Sequence, residues 1–250
     1  MSQLVLSLFP GIGLLDMAFE EEGFCVVRGP DLLWGGDVRR FHPPAGRFDG
    51  VIGGPPCQPF SQLIHMVRAN GFEPRHANLI PEFERVVFEA RPAWWLMEEV
   101  PAAPLPNVPG YVSRDYILNN RWCGGTQERK RRVTFGTFAG HGLPLQGEAL
   151  MPTRWDFAVT GDARVRPVRL LRGGQEKRPR ESGGRSSSLN RGGGTLELAE
   201  MVRLQGLPAG FLEEQPFTSS AKRQMVGNGV PLPMGRAIAR AVKAALECAV

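Results

Sequence analysis

The feature that most constrains the fold is the alternation of short apolar runs with segments of helical periodicity. Residues 4–9 form an apolar run that leads into a glycine-containing turn at 10–13. Apolar residues then recur at helical spacing, at Leu14, Leu15, Ala18 and Phe19. This order predicts a strand, a tight turn and a helix. The same criteria predict further strands at 24–27, 49–54, 94–100 and 132–138, and a helix at 79–90.

Strands that alternate with helices predict an α/β fold with a mostly parallel sheet, in which ligands bind at the carboxyl ends of the strands. A basic segment interrupts this pattern, because residues 153–193 contain ten Lys or Arg but only four Asp or Glu. Gly, Ser and Arg dominate residues 173–194, and apolar patterning resumes at Leu196. One face of a predicted C-terminal helix carries Met234, Ile238, Ala241 and Ala245. We therefore expect a compact α/β body with a small, basic, loop-rich insert.

Charge and residue distribution narrow the possible functions. The net charge of +5 and the isoelectric point near 9.4 favour a polyanionic partner, although many basic proteins have none. The sequence has no run of 18 apolar residues and does not open with a basic leader, so we expect neither a membrane span nor a signal peptide. The four cysteines and four histidines are scattered, with no Cys-x-x-Cys pair. This distribution predicts no metal site and a reducing, cytoplasmic setting.

The glycine turn at 10–13 is the first candidate for ligand binding. A glycine turn between a strand and a helix lets backbone N–H groups approach a ligand closely, although a simple tight turn has the same pattern. Asp31 and Asp37 follow at distances where a carboxylate can accept hydrogen bonds from a ribose or an adenine amino group. The alternative for each is a solvated loop acid.

Cys57 is the candidate nucleophile. It directly follows Pro55 and Pro56 at the end of the strand predicted at 49–54, where active sites of open sheets lie. A thiolate is a strong nucleophile when its pKa is lowered or a proton acceptor is near. The alternative is a buried structural cysteine.

Charged residues also end two other predicted strands. Glu98 and Glu99 close an apolar run, where burial and mutual repulsion would raise the pKa of one of them enough to keep it protonated; the alternative is a surface pair. Gln127, Arg129 and Arg131 alternate at the start of another strand and would share one face, which suits binding of phosphates or carboxylates. The alternative there is a charged edge.

These motifs, in this order, resemble the C5-cytosine-specific DNA methyltransferases. The matching segments are Phe9-Pro-Gly-Ile-Gly13, Gly54-Pro-Pro-Cys-Gln-Pro-Phe-Ser61, Glu98-Glu-Val100, Gln127-Glu-Arg-Lys-Arg131, Arg203-Leu-Gln-Gly-Leu-Pro208 and Arg223-Gln-Met-Val-Gly-Asn-Gly-Val-Pro231. The resemblance runs from about residue 4 to residue 245 and omits only the basic insert. It implies a mostly parallel, Rossmann-like methyltransferase sheet flanked by helices, with a small basic target-recognition insert.

The resemblance also implies two regions and a cofactor. A catalytic domain would comprise residues 1–138 plus 216–250, and residues 139–215 would form the target-recognition domain. The cofactor would be S-adenosylmethionine, bound by Phe9, Gly11, Ile12, Gly13, Leu14, Asp31, Asp37, Pro55, Asn228 and Val230. Asp37 matches its motif directly, whereas Asp31 is shifted by about one residue, so we expect Asp37 to contribute more. The aromatic residue that usually follows the ribose-binding acid is absent.

The catalytic roles implied by the resemblance fall on Cys57 as the nucleophile, Glu98 at N3 of the cytosine, and Arg129 and Arg131. The substrate contacts would come from Gln58, Ser61, Arg75 and Gln127. Glu99 departs from the family, which usually has asparagine there. The implied substrate is a cytosine flipped out of double-stranded DNA, bound by a monomeric cytoplasmic enzyme. A tRNA cytosine-C5 methyltransferase and a catalytically silent DNA-binding relative are the alternatives.

Overall fold

The computed structural model describes residues 2–56, 60, 77–145 and 197–248 of the 250-residue chain. Four predicted site residues lie outside the described residues: Cys57, Gln58, Ser61 and Arg75. Residues 146–196, which contain the whole basic segment 153–193, also lie outside them. Among the described residues, no helix has the length and apolar character needed to cross a membrane.

Six strands form a single sheet in the order β2-β1-β3-β4-β6-β5. The strands are β1 (Leu4–Leu8), β2 (Cys25–Arg28), β3 (Gly50–Gly53), β4 (Trp94–Glu99), β5 (Val112–Asn119) and β6 (Lys130–Thr137). The first four pair in parallel, whereas β6 runs antiparallel to β4 and β5 runs antiparallel to β6. The predicted α/β class with a mostly parallel sheet is therefore confirmed. Strand β5 was not predicted, because it lies at the sheet edge, where most of its side chains are exposed and do not alternate clearly.

Five α-helices surround this sheet in the described part of the chain. They are α1 (Leu14–Glu21), α2 (Ile80–Ala90), α3 (Leu198–Leu204), α4 (Ser219–Asn228) and α5 (Leu232–Glu247). Single turns of 3-10 helix occur at Leu32–Trp34, Val38–Arg40 and Asn120–Trp122.

Two adjacent tryptophans show how the sheet separates two cores. Successive strand residues point to opposite faces, so Trp94 packs with Phe19 on the side of α1 and α5, while Trp95 packs with Phe83 on the side of α2. Glycines lie opposite both indoles, Gly50 in β3 and Gly136 in β6. A Cβ at either glycine would lie 2.2 Å from the facing indole, so the neighbouring strands leave room for these rings only because they carry glycine there.

Helix α3 packs into the body of the protein rather than into a separate unit. Its buried residues Met201, Val202 and Leu204 form one apolar cluster with Leu14 of α1 and Val226 of α4. This packing matters for the predicted recognition region at 139–215, because α3 lies within that range.

Candidate active site

A cavity of about 460 Å³ opens at the carboxyl ends of β1, β3 and β4. Its volume lies within the range of small-molecule sites. Every residue predicted to bind the cofactor lines this cavity, with the exceptions of Gly13 and Pro55. A Cβ at Gly13 would meet the Arg28 side chain at 2.6 Å, so this glycine accommodates a neighbouring side chain instead of facing the cavity. Pro55 is buried, and Pro56, the residue before Cys57, takes its place in the lining.

The glycine loop at 9–13 has an unusual backbone, because Phe9, Gly11 and Gly13 all have positive φ, at 55°, 55° and 77°. This conformation is unfavourable for phenylalanine by about 1 kcal/mol or more, so the surrounding contacts must hold the loop in place. Gly11 lines the cavity and has open space where a Cβ would stand, which leaves room for a ligand to approach the loop closely.

Asp31 lies in the segment that follows β2 and stabilises this glycine loop. Its carboxylate accepts hydrogen bonds from the N–H groups of Gly11 at 2.9 Å and Leu33 at 2.7 Å. By contrast, the carboxylate of Asp37 is bound by the side chain and N–H of Arg39, which lowers the pKa of Asp37. Asp31 therefore touches the cofactor loop directly, whereas the hydrogen bonds of Asp37 go to Arg39.

Asp16 is a fourth carboxylate in the cavity wall, beside Asp31, Asp37 and Glu98, and the sequence motifs did not indicate it. Asp16 is fully buried and accepts hydrogen bonds from Ser7 Oγ at 2.5 Å and Arg28 Nε at 3.1 Å. Burial raises the pKa of Asp16, and these two partners oppose that rise. A charged residue in the otherwise buried stripe of the first helix was the only sequence signal for it.

The described residues that line the cavity include no Lys, Arg or His. Arg28 and Arg39, which pair with Asp16 and Asp37, do not line the cavity. The lining therefore presents acidic and apolar groups, which suits a cationic ligand and disfavours a phosphorylated one.

Glu98 is the next-to-last residue of β4 and lines the cavity. Its side chain forms an ion pair with Arg131 of β6, with 2.8 Å between Nε and Oε1. Both side chains are largely buried, at 10% and 16% exposure, so the pair fixes the position of the carboxylate. Its second oxygen lies 3.3 Å from the position that a Cβ of Gly54 would occupy, and Gly54 also lines the cavity.

The neighbouring Glu99 points to the opposite face of the sheet and does not line the cavity. It is only 2% exposed, and its carboxylate accepts a hydrogen bond from the N–H of Val100 at 2.7 Å. Burial and, secondarily, the charge of Glu98 raise the pKa of Glu99 to about 8. The carboxyl group expected to stay protonated near neutrality is therefore Glu99, on the side of the sheet away from the cavity.

The predicted common face of Gln127, Arg129 and Arg131 does not form, because β6 begins only at Lys130. Gln127 is fully buried, and its Nε2 donates to Leu204 O at 2.8 Å and Gln205 Oε1 at 2.7 Å. In this structure the Gln127 side chain therefore links α3 to the approach to β6. Arg129 donates to the carbonyls of Asn228 and Gly229, at 3.3 and 3.1 Å, and so supports the turn that closes the cavity.

The raised pKa of Glu99 predicts that its replacement by glutamine changes the stability of the protein in a pH-dependent way. The folded protein keeps the Glu99 proton up to about pH 8, whereas an unperturbed glutamate loses it near pH 4.5. The folded state thus binds more protons across this window, and the contribution of Glu99 to stability falls as the pH rises through it. We expect Glu99→Gln to remove this loss, so that its free energy of unfolding exceeds that of the wild type by about 3–5 kcal/mol above pH 8 and by little near pH 4.5.

Urea unfolding of both proteins between pH 5 and pH 9 measures this difference. Glu214→Gln, at an exposed position, is the matched control. A Glu99→Gln difference that stays constant across the range would contradict the prediction.

Comparison with known proteins shows which family this chain resembles. The model of the C-5 cytosine-specific DNA methylase family matches residues 36–153, which include Asp37, Cys57, Glu98 and Arg131. The type II methyltransferase M.HgiDI of Herpetosiphon aurantiacus is 28% identical over 162 residues, which cover 52% of this chain and 51% of that protein. Over residues 36–153 the chain is therefore similar to the C-5 cytosine-specific DNA methylase family. Another relative, the type II methyltransferase M.HindV of Haemophilus influenzae, is 24% identical over 239 residues, covering 78% of this chain and 74% of its own.

The matches to these relatives are partial. The chain spans 51%, 33% and 41% of the lengths of M.HgiDI, M.NgoPII and M.XorII. A solved structure of a putative DNA modification methyltransferase from an E. coli prophage superposes with a TM-score of 0.63 at 17% identity, covering 98% of this chain and 100% of its own. The Spodoptera frugiperda DNMT2 mutant gives 0.59 at 13% identity, covering 98% and 100%. At these identities the structures establish a shared fold.

Proposed function

We propose that this protein is a DNA (cytosine-5)-methyltransferase that uses S-adenosylmethionine. The observation that carries the proposal is one continuous cavity, which joins the glycine loop after β1 to Glu98 at the end of β4 and to Pro56, the residue before Cys57. A methyl donor in the loop region and a base at Glu98 would then share one space. The family model that matches residues 36–153 describes cytosine-specific DNA methylases, which agrees with DNA as the substrate.

The cavity wall fits S-adenosylmethionine in charge and in shape. The cofactor carries a sulfonium cation, and the described lining contributes four carboxylates and no basic side chain. Gly11 leaves open space on the cavity side of the loop, and Leu32 and Leu33 present apolar side chains where the family's aromatic residue is missing. When bound, the cofactor supplies an electrophilic methyl group.

The chain's own residues would activate the base. Cytosine C5 is a poor nucleophile, so we propose that the Cys57 thiolate adds to C6 and thereby places electron density on C5. Glu98, held by Arg131, would take up a proton and hold it between its carboxyl group and N3, so that the negative charge of the adduct is neutralised. Once C5 carries the methyl group, a base removes the C5 proton, the C5–C6 double bond forms again, and the thiolate leaves. Because C6 is inaccessible in a duplex, the target base must be flipped into the cavity.

We propose that the target-recognition segment lies between β6 and α3, within the predicted range 139–215, and that the remainder forms the catalytic domain. Helix α3 shares its apolar cluster with α1 and α4, which favours a recognition segment that ends before Leu198. Its basic residues would contact DNA phosphates, with the protein acting as a cytoplasmic monomer.

We expect the enzyme to specify only about two to four base pairs. Each specified base pair needs a positioned side chain that contributes about 1–3 kcal/mol of discrimination, and residues 139–196 contain few apolar residues to support such side chains. Ten basic residues in 153–193 should instead give affinity that is independent of sequence and falls steeply with salt. Methylation of a random-sequence library followed by bisulfite sequencing measures the site. A strict site of five or more base pairs would contradict this expectation.

We expect Asp31→Ala to weaken cofactor binding by about tenfold or more, and Asp37→Ala by less. Asp31 holds the N–H groups of Gly11 and Leu33, so its loss frees the cofactor loop, whereas Asp37 bonds only to Arg39, an exposed neighbour. Calorimetric titration with S-adenosylhomocysteine measures both variants. A larger loss for Asp37→Ala would restore the order implied by the motif match.

The function is tested on DNA from cells that express the protein. Bisulfite sequencing should detect C5-methylcytosine in DNA from cells that express the wild-type protein. It should detect none in DNA from otherwise identical cells that express the Cys57→Ala variant. A duplex with 5-fluorocytosine at the target should trap the wild-type protein covalently, since the C5 fluorine cannot leave as a proton does. Methylation confined to tRNA would assign the activity to the other substrate, and specific duplex binding without trapping would indicate a silent relative.

A further inference from the structure

Trp34 is an exposed tryptophan with an unusual set of partners. Its side chain is 56% exposed, although tryptophan usually buries most of its ring. The indole Nε1–H donates a hydrogen bond to Gly11 O at 2.8 Å. Among the described residues, Leu32 and Leu33 line the cavity and Trp34 does not, so its indole acts on the glycine loop from outside.

Together with Asp31, Trp34 accounts for both backbone polar groups of Gly11. The N–H group donates to Asp31 Oδ2 and the C=O accepts from Trp34 Nε1, so the four-residue segment 31–34 holds this glycine from both sides. Gly11 and Phe9 both have positive φ, and a loop in this conformation depends on such outside contacts. Loss of one of them should allow the loop to leave the geometry that a ligand requires.

The other side of the indole contacts the chain that leads into α4. Trp34 and Phe217 meet edge to face, with ring centroids 6.0 Å apart and an interplanar angle of 64°. Phe217 immediately precedes Thr218, the N-cap of α4, and the last residue of that helix, Asn228, lines the cavity. Trp34 thus bridges the glycine loop and a segment near the predicted recognition region.

We propose that Trp34 is a positioning residue that fixes Gly11 for cofactor binding and couples this loop to the segment at Phe217. The inference rests on the proposed function, because it takes the cavity as the S-adenosylmethionine site. Since Trp34 touches the loop and not the base, its substitution should alter cofactor binding and leave the chemical step intact.

The test is calorimetric titration of the full chain with S-adenosylhomocysteine, together with steady-state kinetics in S-adenosylmethionine. Trp34→Phe keeps a ring beside Phe217 but removes the donor. We expect it to weaken S-adenosylhomocysteine binding about five- to tenfold, to raise KM by a similar factor and to keep kcat within about twofold. Phe217→Ala should weaken binding about threefold. Because both act through one indole, the double variant should lose less than the product of the two single losses.

Trp122→Phe is the matched control, since Trp122 is also exposed, at 47%, and lies outside the described cavity lining. It should bind as the wild type does. The inference is overturned if Trp34→Phe binds within twofold of the wild type, if Trp122→Phe loses as much, or if kcat falls while KM stays constant. If Trp34→Phe does not fold, the Phe217→Ala variant still tests the coupling between the glycine loop and Phe217. That coupling is overturned if Phe217→Ala binds S-adenosylhomocysteine as tightly as the wild type does. Wild type that fails to bind at all would refute the proposed cofactor itself.

Discussion

Replacement of Cys57 by alanine is expected to abolish methyl transfer while leaving cofactor binding nearly unchanged. The thiolate would form the covalent bond that makes C5 reactive, so its removal should lower turnover by about four or more orders of magnitude. The glycine loop, the acidic wall and the turn at Asn228 line the described cavity and would hold the cofactor, so affinity for S-adenosylhomocysteine should stay within about twofold. Transfer of a radiolabelled methyl group to duplex DNA, alongside calorimetry, measures both quantities.

The chain offers a matched control for this substitution. Cys25 is exposed on the edge strand β2, away from the cavity, so Cys25→Ala should retain full activity. Burial raises the pKa of Cys123 to about 11, which keeps that thiol protonated and makes it a poor substitute nucleophile. More than a few per cent of wild-type turnover in Cys57→Ala would refute the assignment of the nucleophile.

The second large effect is expected at Glu98. Glu98→Gln keeps the size of the side chain but removes the charge that pairs with Arg131 and the carboxyl group that would hold a proton at N3 of the cytosine. Because this stabilisation grows as charge develops on the ring, the rate of a single turnover should fall by about a thousandfold with little loss of duplex affinity. Rapid-quench kinetics measure the single-turnover rate, and a duplex binding assay measures the affinity for DNA.

Glu99→Gln is the internal control for that experiment, since Glu99 lies next in the chain and faces away from the cavity. We expect its rate to stay within about fivefold of the wild type. The Glu98→Gln variant also leaves Arg131 largely buried without its partner, so its unfolding should be measured in parallel. Equal damage from the two substitutions would show that the choice of acid facing the base is wrong.

The sequence by itself determined the fold class and the order of the motifs. Local periodicity sufficed for β1, α1, β3, α2 and β4, because apolar runs, glycine turns and helical spacing are set by near neighbours along the chain. The order of the glycine loop, the proline-cysteine segment and Glu98 also sufficed to predict a resemblance to the C5-cytosine-specific DNA methyltransferases, and the comparisons support that resemblance.

Only the tertiary structure decided which polar residues face the cavity. The partners of Asp31, Gln127 and Arg129 lie 20, 77 and about 100 residues away in the chain, so no local pattern specifies them. Asp16 and Trp34 acquired their contacts in the same way, through β1, β2 and the glycine loop. Near the end of β4, strand alternation separates Glu98 from Glu99, and burial then gives Glu99 the raised pKa. Periodicity reports which side of an element is apolar, whereas the partner of a buried polar group depends on how distant segments pack.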